Sequence, residues 1–593
     1  MRNASYQMKS AVPSNIRWET IEWKEITRYI VKLQQRIYRA EVQGNKRRVR
    51  DLQRLVLHSR AVLLLSIKRV TQTNKGKKTP GIDGETALTG KERIDLYQEM
   101  SQKDIRYHKA KPSYRTYIKK KNGKLRPLSI PTIKDRIYQN IAKTALEPQW
   151  EARFKPTTYG FRPGRGCHDA VMRIYNTCSG GKKQWVFEGD FKGCFDNLNQ
   201  EYILEKIKGF PGIEAVKGWL KAGYVDNGVF EETQQGSGQG SLISPLLANI
   251  ALTGMERELG IRYRESRCWN RNTSHTNQSE YSIVFYADDF VVMCESREKA
   301  EGIYEKLKPY LKERGLELSE EKTRVTSVGE GFDFLGFTIR RYQCQQGSKL
   351  LVRPSKKSVK EVKKEMSETV KKLHGSNVNA VIKELNAILT GVANYWRPMN
   401  AKKTFSEIDN HIWNITYRFV KRLHPKKGWR HWIIPRYYKP DRTGQSRDRW
   451  ILTAPDTGNQ LKKMSWTAIK RHTLVAYKNS PYDRELKEYY EARKRKTFEG
   501  NTIGSRQKLS KMQGYKCPLC GEGIMEPEEK LILKHKIPKE HGGTEEYKNL
   551  QLVHLLCKRI YYYRLPKKAP QPDNKQIAKV CEEIKQLRLS GII

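Results

Sequence analysis

Two short apolar runs, Tyr281-Ser282-Ile283-Val284-Phe285 and Phe290-Val291-Val292-Met293-Cys294, flank a polar step at Tyr286-Ala287-Asp288-Asp289. Both are rich in β-branched and aromatic residues, the composition of paired strands in a hairpin. A third run, Trp185-Val186-Phe187, opens a strand that delivers Asp190 before a Gly-containing turn. A strand, an Asn122-Gly123 turn and a returning strand are expected over Tyr117–Pro131, and Phe332–Phe337 reads as strand and tight turn. Elsewhere the period is helical. Ile26, Ile30, Leu33 and Ile37 recur at helical spacing, as do Leu52, Leu55, Val56, Val62 and Leu65. One helix is expected from Arg297 to Arg314, ended by Gly315. A stripe of Val381, Ile382, Leu385, Ile388, Leu389, Val392 and Tyr395 predicts another, stopped by Pro398.

Composition changes this picture in one respect. The chain of 593 residues carries a formal net charge of +50, far beyond what solubility needs. A polyanionic partner is implied, and nucleic acid fits better than a membrane surface. With 37% hydrophobic residues the chain still builds packed cores, and three or four domains are expected. No apolar run reaches membrane-spanning length, and the N-terminus has no signal-peptide pattern. The ten Cys are mostly scattered, as in a reducing compartment.

The chemistry lies in the acidic residues. Adjacent carboxylates at a hairpin tip repel each other, and a shared cation is the simplest reason to keep Asp288 and Asp289 together. If the strand carrying Asp190 lies alongside, the site can hold two Mg²⁺ ions, one activating a 3′-hydroxyl and one steadying a leaving pyrophosphate. The basic hairpin suits a triphosphate, with Lys124 as a point charge and Arg126 as a planar fork. Arg162 and Arg165, in a Gly/Pro loop, are expected to approach template phosphates, whereas His168 and Asp169 cap the following helix.

The stretches Asp190–Asp196 and Tyr286–Asp289 resemble the palm motifs of reverse transcriptases. From about residue 15 to 565 the chain resembles group II intron-encoded proteins, which combine reverse transcriptase, maturase and a C-terminal HNH-type domain. The resemblance implies an α+β, right-hand-like polymerase: fingers and palm with antiparallel sheet, a helical thumb or domain X, and a small zinc-bound ββα module. It implies Asp190, Asp288 and Asp289 as catalytic residues. Phe195 would exclude a ribose 2′-hydroxyl, Gln239 would reach the incoming nucleotide, and Lys322 would contact phosphate. The family has Thr-Pro-Gln-Gly where this chain has Ser237-Gly238-Gln239-Gly240, and losing the proline should loosen that loop. Leu389–Trp396 and Lys421–Trp429 resemble domain X, whose cations and aromatic residues bind intron RNA.

Near the C-terminus, Cys517-x-x-Cys520 and His554-x-x-Cys557 supply four ligands suited to a tetrahedral structural Zn²⁺. His535 and Asn549 follow the order of an HNH nuclease. Lys534 and Lys558, however, stand where the family has ligands for the catalytic metal. An ammonium has no lone pair to donate, so DNA cleavage is not expected. The domains expected are residues 1–75 (basic helices), 76–345 (fingers and palm), 346–470 (thumb and domain X), 471–510 (basic DNA-binding connector), 511–565 (zinc module) and 566–593 (tail). The partners implied are group II intron RNA, an RNA template with DNA primer, deoxynucleoside triphosphates and target DNA, within an intracellular ribonucleoprotein of a bacterial cytoplasm or an organelle. A dimer is compatible with the sequence. A splicing maturase with weak or lost polymerisation is the alternative.

Overall fold

The helical period of the first segment becomes α1 (Trp23–Val42), α2 (Lys46–Leu57) and α3 (Arg60–Lys68). Ile30, Leu33, Ile37, Val49, Leu52 and Val56 are buried, while Arg47, Arg48 and Arg50 face outward. Asn45 and Ser59 cap α2 and α3 by accepting hydrogen bonds from Arg48 N and Val62 N. After α4 (Gly90–Ser101), the long α5 (Ile133–Arg153) is buried over most of its length and forms the hub against which α1–α3 pack. The computed structural model describes residues 23–119, 125–267, 273–442, 446–502, 504–525, 530–564 and 574–589, with Trp18, Ile21, Gly123 and Gly444.

The strands of the basic hairpin pair as expected, β1 (Ser113–Lys119) with β2 (Leu125–Ile130) and Tyr114 opposite Ile130, while Asn122 of the expected turn lies outside the described residues. β3 (Trp185–Asp190) starts a second sheet. β4 (Tyr224–Asp226) and β5 (Val229–Glu231) extend the first, in the order β2-β1-β4-β5. β6 (Tyr263–Arg267) and β7 (Thr273–Asn277) pair with each other. β8 (Ser282–Tyr286), β9 (Asp289–Cys294) and β10 (Arg324–Ser327) complete the second sheet, antiparallel throughout, in the order β10-β3-β9-β8.

The unbroken apolar runs of that second sheet have a simple cause: both faces are covered. Phe187, Ile283, Phe285 and Val292 enter the core shared with α1–α5, and Val186, Val284, Val291 and Met293 enter the core that continues into the C-terminal helices. The strand period of two sends neighbours to opposite cores, each such side chain contributing about 1.5–3 kcal/mol on burial. The sheet edge is thereby held from both sides.

The expected helix at 297–314 is two helices, Arg297–Glu301 and Ile303–Glu313. Gly302 separates them, having no side chain to favour the helical conformation. The expected end is present, Gly315 taking φ +68. β11 (Phe332–Phe334), β12 (Phe337–Cys344) and β13 (Gly347–Pro354) form a third sheet. Leu335 and Gly336, both at positive φ, make the tight turn between β11 and β12. Helices Lys356–Lys372, Val378–Trp396 and Lys402–Leu423 follow, with the apolar stripe buried at Val381, Ile382, Leu385 and Leu389 and half-buried at Ile388, Val392 and Tyr395. β14 (Tyr438–Lys439) and β15 (Ile451–Leu452) close this region. In the C-terminal module, β16 (Leu531–His535) and β17 (Leu550–His554) lead into helix Leu555–Arg564.

The first part of the expected basic connector is a strap running back over the molecule. Asp169, near the start of α6 (Cys167–Ser179), accepts hydrogen bonds from His472 Nε2 and Val475 N, both at 2.9 Å. Arg165 donates to the carbonyls of Tyr477 and Asn479, and Tyr482 Oη donates to Glu147 on α5. Helices Lys487–Asn501 and Gly504–Met512 follow the strap.

This corrects the reading of the two arginines. Arg165 is spent on main-chain carbonyls, and Arg162 is sealed in an ion pair with Glu151 at 2.7 Å, the side chains 3% and 0% exposed. Neither reaches a template phosphate. Burial pushes the Glu151 carboxyl up, against the pull of Arg162. Glu151→Ala would strand a buried guanidinium, a loss of about 3–5 kcal/mol. Urea unfolding should show the lowered midpoint, and Arg162→Ala should show a similar one.

Candidate active site

β3 and β9 are neighbours, and their register makes Asp190 the direct cross-strand partner of Asp289. β8 pairs with β9 so that Tyr286 faces Asp289, leaving Ala287 and Asp288 as a two-residue turn. Ala287 has φ +58, as such a hairpin turn requires. Asp190, about a hundred positions upstream, thus shares one end of the sheet with Asp288 and Asp289.

That turn rests on backbone. Tyr159 N donates to Phe285 O, and Phe285 N donates to Thr157 O, placing the loop 157–160 along β8. The carbonyl of Gly160 accepts from the buried amide of Asn249, and a Cβ at Gly160 would lie 2.2 Å from Ala287 N. Gly160 opens the Gly/Pro loop that carries Arg162 and Arg165, and its role here depends on a contact no local pattern reveals. Gly160→Ala should displace the carboxylate turn, cost about 1–3 kcal/mol through overpacking, and cut any activity of the acidic site at least tenfold. Catalytic assay together with thermal unfolding measures both effects.

The electrostatics fit a cation. Asp289 keeps solvent exposure, yet desolvation and the charges of Asp288 and Asp190 push its carboxyl up to about 6, with Lys322 pulling the other way. Lys322 Nζ donates to Asp190 Oδ1 at 2.8 Å, and Ser319 N donates to Asp190 O, so the lysine's loop is tied to the end of β3. Burial, then the charges of Asp288, Asp196 and Asp190, raise the thiol of Cys194. Oxygen donors on fixed strand ends, repelling one another and already drawing in an ammonium, are a donor set for a hard divalent ion.

Arg126, Gln239 and Phe195 form a second connected group. Arg126 Nε donates to Gln239 Oε1 at 2.7 Å, and Ser129 N donates to Gln239 O at 2.6 Å. A Cβ at Gly240 would fall 2.3 Å from Ser129 O, so glycine is required for this approach. Ser237 N donates to Phe195 O, joining the loop to the short α7 (Cys194–Asn197). The Phe195 ring is 8% exposed and meets Phe161 edge-on at 6.3 Å. Lys124 lies outside the described residues.

In the C-terminal module, Cys517, Cys520, His554 and Cys557 are all buried, with ligand atoms within 4.8 Å of one another. Among the described residues, Asp190, Asp288 and Asp289 do not gather so closely. His554 Nδ1 faces Cys520 Sγ at 3.4 Å and Cys557 Sγ at 3.7 Å, while Nε2 lies 3.2 Å from Gly523 O. A proton on Nε2 donated to that carbonyl leaves Nδ1 free to bind metal. The four therefore fit a tetrahedral thiolate–imidazole site.

Lys534 and Lys558 have structural partners. Lys558 Nζ donates to Leu533 O at 3.0 Å and Lys534 Nζ to His535 O at 3.1 Å. The Lys534 ammonium also lies 4.1 Å over the Tyr561 ring, and burial lowers its pKa to about 8. His535 faces Glu545 at 3.6 Å. Asn549 is a loop clamp, accepting from Ile537 N and donating to the carbonyls of Ile537 and Thr544.

Comparison with known proteins gives three family matches. Residues 118–339 match "Reverse transcriptase (RNA-dependent DNA polymerase)", residues 18–100 match "N-terminal domain of reverse transcriptase", and residues 359–438 match "Group II intron, maturase-specific domain". Protein YkfC of Escherichia coli (strain K12) is 32% identical over 332 residues, covering 51% of this chain and 87% of YkfC. Group II intron-encoded protein LtrA of Lactococcus lactis subsp. cremoris is 33% identical over 321 residues, 45% of this chain and 53% of LtrA. Maturase-like protein 1 of Euglena gracilis is 27% identical over 327 residues, 54% of this chain and 65% of that protein. The match to LtrA thus spans about half of that relative's length.

Proposed function

The chain belongs to the group II intron-encoded reverse transcriptases, and on that premise we propose that it copies RNA into DNA and binds its intron RNA as a maturase. The observation carrying the catalytic part is the register that sets Asp190 opposite Asp289 with Asp288 at the adjoining turn. Asp190 and Asp288 would hold magnesium, with Asp289 beside them. When bound there, two such ions lower the pKa of a primer 3′-hydroxyl and neutralise charge on the departing pyrophosphate.

The chain's own residues do the positioning. Arg126 can turn its fork from Gln239 to the phosphates of a deoxynucleoside triphosphate, freeing the Gln239 amide for the nucleotide. Lys322, now paired with Asp190, supplies a mobile positive charge beside them. The Phe195 ring fills the space a ribose 2′-hydroxyl would need. Phe195→Ala should narrow the preference for deoxynucleotides over ribonucleotides at least tenfold, read as the ratio of the two kcat/KM values.

The test is primer extension on an RNA template with Mg²⁺, run beside splicing of the intron that encodes the protein. Extension by the wild type is expected, and its absence would remove the polymerase reading. The alternative, a maturase with weakened polymerisation, draws support from Gly238. Its φ of +39 is closed to proline, so the Gln239 loop departs from the family's geometry.

The C-terminal module is read as a zinc-held platform for target DNA without nuclease activity. Two ammonium groups bonded to β16 carbonyls offer nothing to a catalytic metal. Among the described residues no helix is long and apolar enough to cross a membrane. Relatives occur in a bacterium and in Euglena, and an intracellular ribonucleoprotein in a bacterial cytoplasm or an organelle fits both.

A further inference from the structure

A cavity of about 620 Å³ opens behind the Gln239 loop, between the first sheet and the helix Ile213–Lys221. Its lining includes Ser129 and Arg115 on the hairpin, Tyr224 on the adjoining β4, Trp219 on the helix, and Gly236 and Gly238. The size is that of a small-molecule site.

Its flat walls are held rigidly. Trp219 Nε1 donates to Asp135 Oδ1 at 3.1 Å, and that fully buried carboxylate also binds Thr132 Oγ1 and His108 Nε2. The Arg115 guanidinium lies 4.1 Å over the Tyr224 ring and donates to Ser129 Oγ, while its Nε is buried without a partner. The Tyr224 hydroxyl is tied to Glu231. At the mouth, Gln234 and Gln235 are exposed amides able to donate and accept.

Charge narrows the choice of ligand. Arg115 is opposed by Asp196 and Glu232, so the lining does not favour a triphosphate. A neutral, planar heterocycle suits it: the stacked Arg115–Tyr224 pair and the Trp219 ring give flat surface, and the amides meet its edges. The backbone of the same strand would stay outside on the basic surface. We infer that the cavity receives one nucleobase of the RNA template, the first unpaired base ahead of the position being copied, an inference that rests on the polymerase reading above. Gly238 lends the site its width, because it leaves that wall without a side chain, 3.7 Å from Ser129 Cβ even to an added Cβ. Since Gly236 and Gly238 belong to the loop that carries Gln239, a base seated here steadies the residue that meets the incoming nucleotide.

The experiment uses the full chain with RNA template–DNA primer duplexes carrying 2-aminopurine at successive unpaired positions, and matched templates abasic at those positions. Fluorescence quenching confined to the second unpaired position, the one just ahead of the base being copied, together with a kcat/KM about tenfold lower when that base alone is missing, is expected. In the double variant Tyr224→Ala, Gln234→Ala, both position effects should vanish. Uniform quenching, no quenching, or equal sensitivity to an abasic site at every position would overturn the inference. The fluorescence arm needs no catalysis. Position-specific quenching without extension on intact template would sink the polymerase reading and leave the base-binding cavity standing.

Discussion

Asp288→Ala should abolish primer extension, lowering its rate by about 10³-fold or more, while leaving intron binding unchanged. The size follows from what the carboxylate does: in a two-ion site, both the attacking hydroxyl and the leaving group depend on charge fixed in place. The fold should not suffer. Asp288 sits at an exposed turn whose geometry comes from β8, β9 and the backbone of Gly160. Removing it also removes a charge that crowds Asp289 and Asp190. The unfolding midpoint should therefore hold or rise slightly, and a fall of several degrees would show that the variant lost activity through its structure. Splicing measured on the same preparation completes the comparison. Splicing retained and extension lost would separate an RNA-binding surface from a catalytic edge, whereas joint loss would argue for one shared site.

Stripping metal from the C-terminal module, or replacing Cys520 by Ser, should unfold that module and spare the rest. Its core is small: Leu509, Ile524, Leu552, Val553 and Tyr561 surround the four ligands, with Val580 and Ile584 added from the last described helix. A structural zinc site is worth about 10–16 kcal/mol of apparent binding free energy, more than so small a core supplies. One zinc per wild-type chain is expected by elemental analysis. After chelation, amide exchange should become fast across β16 and β17 and stay slow across β3, β8 and β9. Target-DNA binding should fall at least tenfold, with primer extension kept within about twofold. A metal-free chain with protected β16 amides would refute the structural role.

The acidic edge is readable in the sequence because each strand announces itself by composition and the carboxylates stand at strand ends, Asp190 closing β3 and Asp289 opening β9. The sequence could not announce that both faces of the sheet are covered. That emerges from which core each of Val186 and Phe187 enters. The arginines at 162 and 165 depart from expectation for a related reason. A cation in a loop looks like a phosphate contact until its partner is known, and here the partners are Glu151, eleven positions away, and carbonyls more than three hundred positions on. Lys534 and Lys558 were legible as unfit for metal, since ammonium chemistry is local. Their attachment to β16 carbonyls was not. Gly302 shows the limit on helices: a single residue without a side chain divides a segment whose apolar spacing runs straight through it.

The strap at residues 472–482 constrains how the molecule can breathe. The helical region after β13 is joined to the sheet at one end by the chain itself, and the strap returns from its other end to Asp169 and then to Glu147 on α5. A domain moored at two points can pivot about the line between them but cannot swing free. Any strand of nucleic acid lying between it and the acidic edge would then be released by sliding out along its length, a geometry that favours many consecutive additions before the enzyme lets go.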